Sequence, residues 1–148
     1  MTADSPPWQA WVDGTASPNP GRIGLGLLLV SPDGERRERS HAAGRSGCNN
    51  EAELRAIWAA LEAAEAAGAR RLTVHSDSRF AVDCLSGRDD TAVPRLAELL
   101  AAPRAAIGRF EAVTLAWLPR HRNAEADRLA RAALGLLPKP PAKPKRRR

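Results

Sequence analysis

The chain has 148 residues, of which 27% are charged and 43% hydrophobic, with two cysteines and a formal net charge of +6. That length suits one domain with a buried core, and two cysteines are too few for a disulfide framework or a cysteine-built zinc site. Residues 1–7 carry neither a basic start nor an apolar run, and the longest apolar stretch, 23–30, is far too short to span a bilayer. The expectation is a reduced, cytoplasmic protein with no membrane segment.

Residues 8–13 (WQAWVD) read as a strand ending at Asp13, and GTASPNPG after it reads as a chain-reversing turn. Residues 23–30 form a near-continuous apolar strand closed by the SPDG turn, and 35–43 form a third strand by position. An Ala/Glu/Leu-rich helix follows over 49–67, with an asparagine as its cap and Gly68 as its stop. Residues 71–76 (RLTVHS) are a strand leading into Asp77, and Ser78 caps a helix to Leu85. Residues 92–108 are helical by composition with an interruption at Pro103, 111–117 alternate as a strand, and 123–136 close the chain as an amphipathic helix. The order predicts an α/β fold: a five-stranded mixed sheet, antiparallel over its first three strands and then extended by parallel crossovers, with helices on both faces.

The charge is concentrated in one place. Residues 138–148 (PKPPAKPKRRR) hold all three lysines and three arginines, which equals the whole formal excess. The preceding 137 residues balance, 17 arginines against 17 acids. The expected organisation is therefore a folded domain over 1–137 and a disordered Pro/Lys/Arg-rich tail over 138–148. From Lys139 onward the tail suits contact with nucleic acid in a salt-dependent way.

Residues 47–56 (GCNNEAELRA) place two glutamates at the start of the long helix. On a helical wheel centred on Glu53, Ile57, Ala60 and Ala64 all fall within about 40° of it, so Glu53 faces the apolar side. Glu51 lands about 160° away, beside Arg55 and Glu62, and reads as a solvated residue paired with Arg55 at i+4. A carboxylate aimed at a core needs a neutralising partner. A buried salt bridge and a metal ligand at the lip of the sheet both satisfy that requirement. Other acids favour the metal: Asp13 and Asp77 end strands, and Asp127 begins the last helix at the edge of its apolar stripe, Ala126, Leu129, Ala130, Ala133 and Leu134. Four converging carboxylates repel one another unless hard divalent cations such as Mg²⁺ sit between them.

Taken in order, Asp13-Gly14-Thr15 with Asn19-Pro20-Gly21, then Asn49-Asn50-x-Ala52-Glu53, then Ser76-Asp77-Ser78, and then Trp117-Leu118-Pro119-x-His121 with Asn123 and Ala126-Asp127-x-Leu129-Ala130 form a recognisable series. The series resembles type 1 ribonuclease H over nearly the whole folded chain. The resemblance implies an endoribonuclease that cuts the RNA strand of RNA/DNA hybrids with two Mg²⁺ ions, or Mn²⁺ in their place, leaving 5′-phosphate and 3′-hydroxyl ends. It assigns Asp13, Glu53, Asp77 and Asp127 as metal-binding carboxylates and His121 as an assistant in proton transfer or product release. It assigns hybrid recognition to Gly14, Thr15, Asn19, Cys48, Asn49, Asn50, Ser78 and Arg79; a monomer is expected.

Three departures stand out. Cys48 occupies a position where relatives carry a threonine, the segment from His121 to Asp127 is short, and the basic protrusion of the best-known bacterial members is missing. The alternatives are a same-fold nuclease acting on double-stranded RNA and a hybrid-binding module without catalysis. The tryptophans in strands, Trp8, Trp11 and Trp117, are expected in the core, and His75 is expected to be structural.

Overall fold

The computed structural model describes residues 5–139. The chain forms β1 (Trp8–Ser17), β2 (Gly21–Val30), β3 (Arg36–Gly47), α1 (Asn49–Ala66), β4 (Arg71–Ser76), α2 (Arg79–Leu85), α3 (Pro94–Leu99), α4 (Ala101–Ile107), β5 (Ala112–Trp117), a 3₁₀ turn (Arg120–Arg122) and α5 (Ala124–Ala132). The strands make one mixed sheet in the order β3-β2-β1-β4-β5. β1, β2 and β3 are antiparallel, and β4 and β5 run parallel to β1. This is the expected architecture. The tail beyond Lys139 lies outside the described residues.

Period-two alternation in β2 is masked because both of its faces are covered. Ile23, Leu25, Leu27 and Leu29 join α1 in the main core with Leu54, Ile57 and Leu61. The opposite face of β2 carries α5, whose Ala126, Leu129 and Ala130 are buried. That second face admits a helix because Gly26 has no Cβ: one added there would run into the backbone of Ala126. The close approach fixes how deeply α5, and with it Asp127, sits against the sheet.

Several boundaries differ from the sequence reading, each for a tertiary reason. Asp13 does not end its strand. β1 continues to Ser17 because β2 pairs with it from Gln9↔Val30 to Ser17↔Arg22, which reduces the reversal to Pro18–Pro20. The parallel ladder with β4, however, stops at Trp11↔His75. Asp13 therefore lies where β1 parts from β4, one side-chain repeat beyond the last pair. The α1 cap is Cys48 rather than an asparagine: its sulfur accepts the Glu51 amide at 3.4 Å. The break in the third helical segment, 92–108, falls at Leu100 instead of Pro103. A proline ring collides with the carbonyl four residues back, so Pro103 is accommodated in the first turn of a new helix. α5 is shorter than expected, ending at Ala132.

Trp117 is also corrected. It sits on the edge strand β5 and is 40% exposed. Its indole N–H donates to the Asp77 carbonyl at 3.1 Å, and the Arg79 guanidinium stacks over its ring at 3.8 Å. Trp8 and Trp11 are half-buried. His75 stacks on Trp11 with ring centres 4.8 Å apart and shares a 2.7 Å hydrogen bond with Gln9, a structural arrangement as expected.

Candidate active site

The sheet positions its acids around the splay between β1 and β4. Asp13 projects from β1, Asp77 follows β4 directly, and α1 crosses β1 so closely that Gly14 has no room for a Cβ against the Ala52 carbonyl. That approach places the Glu53 carboxylate against the Gly14 amide, which donates to it at 2.6 Å. Carboxylate oxygens of Asp13, Glu53 and Asp77 lie within 4.8 Å of one another. Asp127, in the first turn of α5, completes the wall of a cleft of about 90 Å³ shared with Gly14, Thr15, Asn49, Arg120 and Lys139.

Crowding and burial dominate the electrostatics. Burial, followed by the charges of Asp77 and Asp127, pushes the Asp13 carboxyl up to about 8. Burial and then Asp13 and Asp77 hold Glu53 well above the usual carboxylate range, against the opposing hydrogen bond from Gly14. Among the described residues none of these four carboxylates is in an ion pair. A set of oxygen donors that cannot all ionise without a counter-charge fits hard divalent cations.

Glu51 corrects the wheel in one respect and supports it in another. It does point away from the cleft, but it is only 1% exposed rather than solvated. α3 closes over that side of α1, and Arg95 grips the Glu51 carboxylate through Nε at 2.8 Å and Nη2 at 3.1 Å, while Arg55 donates at 2.9 Å. Burial alone would raise the Glu51 pKa; the hydrogen bonds from Arg95 and Arg55 outweigh it and the net shift is downward.

The other expected site residues divide into two groups. Asn49 lines the cleft, and its side-chain oxygen accepts the Ala16 amide at 2.9 Å. Asn19 accepts the Asn49 amide at 3.1 Å, tying the β1–β2 turn to the start of α1. Cys48 is half-exposed at the same corner and Asn50 is exposed. Ser78 caps α2 by accepting the Ala81 amide at 3.1 Å, and Arg79 lies over Trp117 beside Asp77. His121 is not among the carboxylates. The tight 3₁₀ turn carries it into a neighbouring cavity of about 450 Å³ with Trp11, Leu28 and Val30, and directs Arg120 into the cleft instead.

Two contributors were not expected. Asn123 is 2% exposed and donates its amide to the Val12 carbonyl at 2.7 Å and to Asp77 Oδ2 at 3.3 Å, so it orients Asp77 and ties α5 to β1. Asn123 stands in the motif series beside Asp127, but the series assigns it no role. Arg120 had no sequence signal, being one of many arginines.

The family described as Reverse transcriptase-like matches residues 11–133. A bifunctional protein of Mycobacterium tuberculosis is 36% identical over 124 residues, 82% of this chain and 34% of the relative, so the chain spans about a third of that protein's length. Ribonuclease HI of Halobacterium salinarum is 36% identical over 126 residues, 84% of this chain and 63% of the relative. Ribonuclease H of Paracoccus denitrificans is 33% identical over 152 residues, 90% of this chain and 95% of the relative. Among solved structures, ribonuclease H1 of Halobacterium salinarum superposes with a TM-score of 0.82 at 35% identity, covering 86% of this chain and 97% of that one. An LC11 ribonuclease H1 solved in complex with RNA/DNA hybrid superposes with a TM-score of 0.79 at 28% identity, covering 86% and 96%. The fold, the acid-lined cleft and these likenesses agree: the chain belongs to the type 1 ribonuclease H family.

Proposed function

We propose that the chain is an endoribonuclease that hydrolyses the RNA strand of RNA/DNA hybrids with divalent cations held by Asp13, Glu53, Asp77 and Asp127. The observation that carries this reading is the crowding of these carboxylates, with Asp13 raised to about 8, in a cleft where they have no ion pair among the described residues. Two bound Mg²⁺ or Mn²⁺ ions would activate a water and stabilise the departing 3′-oxygen, giving 5′-phosphate and 3′-hydroxyl ends. The protein's own part is positional. The Gly14 amide holds Glu53, Asn123 holds Asp77, and the close seat of α5 holds Asp127.

Strand discrimination falls to the rim. Gly14, Thr15 and Asn49 border the cleft, with Asn19, Cys48 and Asn50 at the adjoining corner. Hydroxyl, amide and backbone groups of this kind suit the 2′-hydroxyls and broad minor groove of a hybrid. Ser78 and Arg79, next to Asp77, suit the cut strand's backbone, and Arg120 adds a cation facing the scissile phosphate. His121 assists proton transfer or product release from outside the cleft. A non-catalytic binding module is disfavoured because all four carboxylate positions are filled. We place the enzyme in the cytoplasm as a monomer; no helix among the described residues is long and apolar enough to cross a membrane.

The test is cleavage of a labelled hybrid with and without Mg²⁺, followed by analysis of the ends. Asp13→Asn and Glu53→Gln are expected to lose at least about 100-fold in kcat, while Glu51→Gln keeps its kcat. Cleavage that survives chelator, or product 3′ ends that a polymerase fails to extend, would contradict the metal-ion reading.

A further inference from the structure

Glu51 and its two arginines form a unit that the catalytic cleft does not use. Arg55 is 12% exposed and by itself neutralises the buried carboxylate. Arg95 comes from α3, 44 residues away in sequence, and its side chain is 58% exposed. Arg55 and Arg95 together exceed the charge of Glu51 by one, on the solvent side, and Glu98 of the same helix as Arg95 partly offsets that excess. Nε and Nη2 of Arg95 face Glu51, which leaves Nη1 and the outer edge of the guanidinium directed away from the pair. A flexible arginine normally loses side-chain entropy when it grips a ligand; one already fixed by a bidentate carboxylate loses less.

The position of this fixed cation matters. Glu51 is at the start of α1, its amide bonded to Cys48, and Gly47 passes so close that a Cβ there would meet Glu51 Oε1 at 2.5 Å. Cys48 caps the same helix end, its sulfur accepting the amide of the glutamate that Arg95 grips. Arg95 thus borders the corner formed by Cys48, Asn49 and Asn50. Glu51 and Glu53 sit on opposite sides of α1, which puts Arg95 away from the carboxylate cleft while keeping it along the same helix end. A thiol is a poor partner for phosphate, so Cys48 leaves this corner short of a strong donor.

We infer that Arg95, held in place by buried Glu51, contacts a backbone phosphate of the nucleic-acid substrate at a point remote from the bond that is cut. The inference rests on the proposed action on hybrids and adds a substrate contact supplied by α3. Glu51 is a positioning residue in this account: its charge opposes phosphate, yet its presence strengthens binding by aiming Arg95.

The signs of two substitutions make this testable. Arg95→Ala removes the contact, whereas Glu51→Gln removes a negative charge but releases Arg95. Hybrid affinity is to be measured with the full chain by fluorescence anisotropy in chelator, and kcat and KM with Mg²⁺, between about 50 and 200 mM salt. Arg109→Ala serves as control, an exposed arginine paired with Glu65 near the other end of α1. Arg95→Ala is expected to weaken binding by about three- to tenfold, to flatten the log–log salt slope by about one unit and to spare kcat. Glu51→Gln is expected to weaken binding as well, and Arg109→Ala to leave the slope as it is. Unchanged affinity and slope in Arg95→Ala overturn the inference, as does tighter binding in Glu51→Gln. If Glu51→Gln fails to fold, Arg95→Ala decides alone. Failure of the unaltered chain to cut hybrid overturns the functional reading instead, and the anisotropy slopes still judge Arg95.

Discussion

Asp13 shows how one carboxyl group links stability to catalysis. Its folded pKa is raised from 3.8 to about 8, so the folded chain retains a proton that the unfolded chain gives up within that window. Stability of the metal-free protein is therefore expected to fall as pH rises from about 4 to 8. Asp13→Asn removes the effect and should raise metal-free stability by roughly 1–3 kcal/mol at pH 8, with little gain near pH 4. Denaturant melts in chelator at both pH values check this; equal gains at both would contradict it. Bound Mg²⁺ is expected to restore stability at high pH, because the metal takes the place of the proton. That Glu53 rather than Glu51 faces the sheet and the cleft was legible in the sequence, since a wheel needs only one helix to separate the two sides of α1. The burial of Glu51 was not, because the partner that covers it, Arg95, arrives from α3 and leaves no trace in local periodicity.

Elements were legible where local signals were strong and misjudged where a neighbouring strand decided the outcome. α1, β4 and α2 declared themselves through composition, alternation and a serine cap. β1 ran four residues past its expected end because its ladder with β2, invisible from one segment, carries it to Ser17. Two predictions belong at this scale. Gly26→Ala sets a Cβ against the backbone of α5, and should cost about 2–4 kcal/mol in chemical denaturation. It should also lower kcat, because displacing α5 moves Asp127. Cys48→Thr replaces a sulfur cap acceptor with a hydroxyl and should stabilise α1 by about 0.5 kcal/mol. A loss of stability in Cys48→Thr would mean that the sulfur is held there by packing rather than by its cap bond.

For the whole molecule, charge distribution sets how substrate is attracted. The first 137 residues balance, and the surplus of six positive charges is all in residues 138–148. Truncation after Leu137 is expected to raise KM for hybrid by about tenfold at roughly 50 mM salt and progressively less as salt increases. A Michaelis constant that does not change at low salt would remove the tail from the binding account. The cleft of Asp13, Glu53, Asp77 and Asp127 is expected to cut RNA only when RNA is paired with DNA. One measurement addresses it most directly. The same labelled RNA strand is presented alone, paired with RNA and paired with DNA, each with Mg²⁺ and with chelator. Metal-dependent cleavage of the DNA-paired strand is expected, with little of the other two. Comparable cutting of RNA paired with RNA, or no cutting of the hybrid that the protein nevertheless binds, would contradict it.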